Sequence, residues 1–310
     1  MREIFLSGRL TVGLQRSKTL LLYDDRTNTM KIRLVAIDLD GTLLNSAKEI
    51  TAGTATIIRA AREVAHVRVV LATARPPRTV LPFYSLLGLD TPMINYNGAL
   101  VHEPASGRII LHRPMEAKSA RQVASIAREM FPDVLVSAEI LDNWYTDRVE
   151  DSWRSETTRL SDSYTVAPMS QWLNQPITRL HVLGRRQWLS DIRTEVRAQM
   201  PGQVAIGWSE TAMLQIMHPS AGKRDALMAV AAEMGIEAAE VMAIGDNAND
   251  AGMLQWAGIG VAMENASPVA RQVADYITDA NDADGAAKAI ARLIVDPVTD
   301  EMETEPPDLI

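Results

Sequence analysis

Hydrophobic positions along this chain follow two different periods. From Ile32 to Ile37 the run "IRLVAI" is apolar at all but one position and breaks abruptly on Asp38. A short run of this kind, with β-branched members, reads as a strand buried on both faces of a parallel sheet. Over Thr51 to Ala65 the period lengthens: Ile57, Ile58, Ala61 and Val64 recur at helical spacing. "VRVVLATAR", from Val67, predicts a second buried strand, and "GLDTPMINYNG", from Gly88, a loop, a short strand and a turn. Near the other end Gly222 to Met234 is helical, "VMAIGD" is again a short apolar strand ending in Gly-Asp, and "GIGVAM" and "VADYIT" read as two more.

Strand-helix alternation therefore occupies residues 30–97 and returns over 215–295. It predicts an α/β core, a Rossmann-like parallel sheet with helices on both faces. Residues 98–214 break the alternation. They hold five of the six tryptophans (Trp144, Trp153, Trp172, Trp188 and Trp208) and irregular polar stretches. Helical patterns at Ala117 to Met130 and Leu189 to Met200 mix there with strand-like "DVLVSAE" and "ITRLHVLG", which predicts an inserted α+β domain. Residues 1–29 are expected to be a loose extension or the product of a start codon assigned too early. Residues 296–310 carry six acids and no base, the composition of a disordered tail.

Composition narrows the class. The chain has 310 residues, 47% of them hydrophobic, enough for a large core. A formal net charge of -8 leaves no global basic footprint for nucleic acid. The absence of cysteine excludes disulfides and thiolate metal sites and fits a cytoplasmic protein. No apolar run approaches the roughly 18 residues of a membrane span.

Candidate chemistry gathers where strands end, since ligands of open parallel sheets bind beyond the carboxyl ends of the strands. Asp38 and Asp40 follow the first strand, Thr73 the second, Asn97-Gly98 the third, and Gly245-Asp246 the strand near the C-terminus. Asp38, Asp40 and Asp246, joined by Asp250, would be expensive as an unpaired anionic cluster. An oxygen-only set of this kind suits Mg2+ rather than zinc, and magnesium commonly binds substrate phosphate. Lys223 and the Thr73 hydroxyl can meet phosphoryl oxygens. One carboxylate can attack phosphorus while a second handles protons.

"DLDGTL" at 38–43, "ATAR" at 72–75, Lys223 before a helix, and "GDNANDAGM" at 245–253 resemble the four motifs of haloacid dehalogenase-like phosphatases. "NYNGAL" at 95–100 is similar to the segment where their Cof-type members, subclass IIB, enter a large α+β cap of the C2B type, and "GVAMENA" resembles the Cof-type ending. The resemblance covers about residues 31–293; the cap matches by position and size more than by motif. It implies Asp38 as nucleophile and magnesium ligand, and Asp40 as general acid and base with its carbonyl on the metal. Thr73 would bind phosphate, and Lys223 would steady nucleophile and phosphate. Asp246 would ligate magnesium, with Asn249 and Asp250 completing the loop and Asp250 holding Lys223 or a metal-bound water. Asn97 would mark the hinge and touch substrate. Ala74, Arg224 and Glu264 stand where the family usually has glycine, which bears on loop shape rather than reaction class.

Outside these motifs the expectations are structural. His66, His102, His112, His181 and His218 are scattered without metal spacing, and His181, in an expected cap strand, is assigned a structural or surface role. Arg148, Arg154, Arg159, Arg179, Arg185 and Arg186 are expected on solvated faces, and the cap tryptophans in a core. The expected function is a magnesium-dependent hydrolase of a small phosphorylated metabolite, a monomer or homodimer with no nucleic-acid or membrane partner. A phosphosugar mutase of related cap type and a non-catalytic phosphometabolite sensor are the alternatives. The sugar product separates the first, and phosphate release the second.

Overall fold

The computed structural model describes residues 32–149, 164–210 and 212–297. The expected extension at 1–29, and Trp153, Arg154 and Arg159, lie outside the described residues. So does the tail from residue 298; Asp296 and Pro297 still belong to a helical turn.

The first half of the core runs β1 (Leu34–Ile37), α1 (Ala52–Glu63), β2 (Arg68–Leu71) and α2 (Pro77–Leu86). A meander of β3 (Met93–Asn95), β4 (Leu100–His102) and β5 (Ile109–His112) follows. The chain then makes α3 (Ala117–Met130), β6 (Leu135–Ile140), β7 (Asn143–Thr146), β8 (Thr165–Val166), α4 (Met169–Trp172), β9 (Arg179–Leu183), α5 (Arg186–Gln199), β10 (Ala205–Glu210) and β11 (Met213–Met217). It returns through α6 (Lys223–Glu233), β12 (Val241–Gly245), α7 (Ala251–Trp256), β13 (Ile259–Ala262), α8 (Pro268–Val273), β14 (Tyr276–Ile277) and α9 (Gly285–Ile290).

Five strands form a wholly parallel sheet in the order β14-β13-β12-β1-β2. Strand β1, flanked by β12 and β2, is buried along its whole length, as its unbroken apolar run requires. The fold is the expected Rossmann-like core with an inserted α+β cap. The cap has its own six-stranded sheet, β10-β11-β9-β6-β7-β8, and its own hydrophobic cluster built from Val136, Ala138, Leu180, Val182, Leu214 and Ile216 against α3 and α5.

The expected cap boundary at 97/98 falls inside the meander, between β3 and β4. Val101 packs into the core cluster, with Ile110 and Leu111 against it, and Met115 is the first residue of the cap cluster. The outgoing and returning connections lie together. Arg113 donates to the Ser220 carbonyl and pairs with Asp225 at 3.1 Å, and a Cβ on Gly98 would collide with the Gly222 carbonyl.

Helix α2 has no counterpart in the hydrophobic pattern, which Pro76, Pro77 and Pro82 obscure. Pro77 occupies the first turn, where a missing N–H costs nothing, and burial of Val80 and Tyr84 holds the rest. Among the described residues no helix is long and apolar enough to cross a membrane.

Candidate active site

Parallel pairing aligns the strand ends. Ile37 is in register with Ile244, and the Asp38 N–H donates to the Ile244 carbonyl at 3.0 Å. Asp38 and Asp246 thus leave neighbouring strands at one edge. Thr73 joins them just past β2, its N–H bonded to Ile94 and its carbonyl accepting from the Asn97 N–H at 2.9 Å.

Lys223 opens α6 and is wholly buried between two carboxylates. Its Nζ donates to Asp38 Oδ1 and to Asp250 Oδ1, each at 2.6 Å. Burial alone would lower the ammonium's pKa, but Asp250 and Asp38 together hold it above its ordinary value. The other Asp250 oxygen accepts the N–H groups of Asp246 and Asn247, at 3.1 and 2.9 Å. Both Asp250 oxygens are therefore committed to the protein.

The remaining acids are under-compensated. Burial pushes Asp38 well above the usual carboxylate range against the pull of Lys223, and Asp250 and Asp246 add to the rise. Burial, then Asp250, pushes Asp246 up to about 6. Oxygens of Asp38, Asp246 and Asp250 lie within 4.8 Å of one another. Three carboxylates against one ammonium leave a formal charge of minus two, which a divalent cation matches. With Asp250 committed, the residues that fit a cation are Asp38 and Asp246. Thr42 Oγ1 steadies the latter through Asp246 Oδ1 at 3.3 Å.

Gly41 is needed between them. Its φ is +82°, and a Cβ there would lie 2.5 Å from Asp246 Oδ2. Gly41→Ala should therefore cost about 1–2 kcal/mol in backbone strain alone and displace Asp246. We expect at least a tenfold loss of divalent-cation affinity by titration calorimetry. Unchanged affinity would mean that the Gly41 turn does not set the Asp246 position.

Asp40 is held differently. Arg75 Nε and Nη2 grip its two oxygens at 2.6 Å each, and Lys48 Nζ adds a contact at 2.9 Å. Burial would raise this carboxyl, but the hydrogen bonds and charge of Arg75, then those of Lys48, bring it below its ordinary value. A carboxylate gripped this way is a proton acceptor. Donating a proton first requires release from the Arg75 fork. Neither Arg75 nor Lys48 was singled out from the sequence, although Arg75 is the last residue of "ATAR"; side-chain pairing over 35 positions leaves no periodic trace.

Asn249 Nδ2 donates to Asn97 Oδ1 at 2.8 Å, so these two expected residues meet beside Thr73. Asn97 adopts the left-handed conformation at φ 54°, where asparagine is tolerated. The departures from the family pattern stay clear of the acids: Arg224 is exposed and bonded to Asp225, and Glu264 is exposed.

One sequence expectation fails in the cap. Arg179 is not on a solvated face; it is 1% exposed, with Nη1 donating to the Ala74 carbonyl at 2.6 Å and the guanidinium over the Tyr96 ring. Glu139, equally buried, accepts a two-pronged bond from Arg78 at 2.8 and 2.9 Å and lies 3.8 Å from Arg179. Arg78 also pairs with Asp142 at 3.0 Å, and the Tyr96 hydroxyl donates to the Leu141 carbonyl at 2.7 Å. This network joins cap strands to the residue after Thr73. Arg185 and Arg186 are exposed, as expected, and stack over Trp188 and Trp208. Trp144 and Trp172 are buried.

Comparison with known proteins agrees with this geometry. Residues 35–290 match the family model of haloacid dehalogenase-like hydrolases. The chain is 30% identical over 269 residues to the 5-amino-6-(5-phospho-D-ribitylamino)uracil phosphatase YitU of Bacillus subtilis, covering 82% of this chain and 95% of that one. It is 28% identical to the B. subtilis phosphatase YwpJ over 287 residues, 85% of this chain and all of that one. A haloacid dehalogenase-like hydrolase from Bacteroides thetaiotaomicron superposes with a TM-score of 0.77 at 27% identity, covering 85% of this chain and 100% of the other. The chain is thus a phosphatase that belongs to the haloacid dehalogenase-like hydrolase family.

Proposed function

We propose that the chain hydrolyses a small phosphorylated metabolite in two steps, with Asp38 as nucleophile and Mg2+ as cofactor. The observation that carries this reading is the buried Asp38–Lys223–Asp250 chain at the end of β1, with Asp246 alongside and two negative charges left uncompensated.

In the first step an Asp38 oxygen attacks phosphorus and the bond to the leaving oxygen breaks. Asp40, freed from Arg75 and protonated, gives that oxygen its proton. In the second step water attacks phosphorus, Asp40 as carboxylate takes the water's proton, and the aspartyl-phosphate bond breaks to return Asp38. Lys223 keeps Asp38 oriented and offsets charge on the phosphoryl oxygens. Thr73 and Asn249 would hold those oxygens. Asp38, Asp246 and the Asp40 carbonyl would hold Mg2+, which when bound supplies positive charge to the phosphoryl group. The named phosphatases among the relatives support the reaction class, and a lid with its own core favours a small substrate over a macromolecular one.

The test is phosphate release from para-nitrophenyl phosphate. Turnover should fall to background in EDTA and return with added Mg2+ but not Na+. Undiminished turnover in EDTA would remove the metal from the scheme. No release from this or any metabolite phosphate would remove the hydrolase.

A further inference from the structure

The two faces of the cap sheet are unlike. Val136, Ala138, Leu180, Val182, Leu214 and Ile216 pack on the cap helices. Strand alternation sends their neighbours to the opposite face. There Glu139 is in register with both Trp144 and Arg179. Two residues farther along, Ser137 is in register with Thr146 and with His181, and His181 with Gln215. The Glu139–Arg179 row rests on the core through the Ala74 carbonyl, Arg78 and Tyr96. The Ser137–His181 row lies one strand repeat beyond it, about 6.6 Å. This face of the cap is therefore the one turned toward the catalytic edge.

It is buried and polar, and several of its atoms are unsatisfied. Ser137 is 0%, Arg179 1%, His181 3% and Trp144 7% exposed. Ser137 Oγ, Arg179 Nε, His181 Nε2 and Trp144 Nε1 have no hydrogen-bond partner among the described residues. Buried polar atoms normally have partners, and each orphan costs roughly 1–3 kcal/mol. Four on one face, the face whose Arg179 meets the residue after Thr73, are arranged for a ligand.

We propose that Ser137 and His181 read the leaving group of the substrate, and that this group is uncharged and rich in hydroxyls. The assignment rests on the phosphatase reading above. The charges in the neighbouring row are already balanced, Arg78 and Arg179 against Glu139 and Asp142, so that row offers no spare cation to a carboxylate or a second phosphate. The reading row itself consists of groups that both donate and accept. A serine hydroxyl does so, and so does a neutral imidazole; burial, then Arg179 and Arg78, keep His181 well below its ordinary value and therefore neutral. An alcohol on a sugar or alditol also both donates and accepts. Such a site selects sharply, because a leaving group without hydroxyls would leave these buried atoms unpaired.

The test compares D-glucose 6-phosphate and D-ribitol 5-phosphate with 3-phosphoglycerate and para-nitrophenyl phosphate. Wild type should favour at least one of the two polyol esters over phosphoglycerate by at least tenfold in kcat/KM. Ser137→Ala and His181→Leu should each lose tenfold or more on that ester, but under threefold on para-nitrophenyl phosphate, with melting by circular dichroism confirming the fold. His181→Asn, which keeps a donor and an acceptor, should recover part of the loss. Equal losses on both kinds of ester, no loss in Ser137→Ala, or a wild type indifferent between polyol ester and phosphoglycerate would overturn the assignment while leaving the phosphatase intact. A wild type inert toward every ester would overturn both.

Discussion

Asp38→Asn is expected to lower phosphate release from para-nitrophenyl phosphate by at least roughly a thousandfold while leaving the fold intact. Loss of a nucleophile removes the covalent route altogether, and no neighbouring group can take its place without moving. Asp40 is tied to Arg75 and Lys48, and both Asp250 oxygens are engaged. The amide is nearly isosteric with the carboxylate, and its oxygen can still accept from Lys223. It also relieves like-charge repulsion among three clustered acids, so the melting temperature should hold or rise. Rapid-quench labelling with a phosphorus-32 ester would show an acid-stable phosphoprotein in the wild type and none in the variant. A variant retaining a tenth of the activity would show that water attacks phosphorus directly and that Asp38 serves only the metal.

Glu139→Ala is expected to produce the largest loss of stability. Glu139 is the anion that faces Arg78 and Arg179 in a buried row, and it also accepts from Tyr96. Removing it leaves Arg78 and Arg179 without their shared buried carboxylate, with Asp142 and the Ala74 carbonyl still in contact. Breaking one partner out of a buried ionic network costs roughly 3–5 kcal/mol, which should lower the melting temperature by about 10 °C. Glu139→Gln should fall between, since it keeps an acceptor and loses the charge. A drop below about 1 kcal/mol in Glu139→Ala, measured by denaturant titration, would mean that solvent reaches these guanidinium groups.

The sequence was most informative where chemistry and topology coincide. Asp38, Thr73 and Asp246 could be found because each interrupts or follows a buried apolar run, and a parallel sheet brings such interruptions to one edge. Lys223 could be found because it opens a helix just ahead of such a strand. What could not be found depends on side chains meeting across long separations. The fork from Arg75 to Asp40 and the Glu139 network link positions that no period relates. Arg179 was expected on a solvated face because an arginine in a strand usually is; burial came from the core surface that the cap covers. His181 was assigned a structural or surface role, and it is buried. Its row is polar on a face that a strand of an isolated sheet would turn to water, and only the stacking of cap on core shows that the face is enclosed.

The pinning of the two cap connections has a consequence for how the molecule is assembled. Arg113 ties the outgoing connection to Ser220 and to Asp225 at the start of α6, and Gly98 presses its backbone on Gly222. To the core, the whole insertion is a loop whose ends already touch. Closure entropy grows only with the logarithm of loop length, about 0.6 kcal/mol for each doubling, and the cap supplies its own hydrophobic cluster to offset its own ordering. The catalytic edge is therefore thermodynamically nearly indifferent to how long the inserted segment is. Selectivity can be rebuilt on the lid, residue by residue, without taxing the sheet that performs the chemistry.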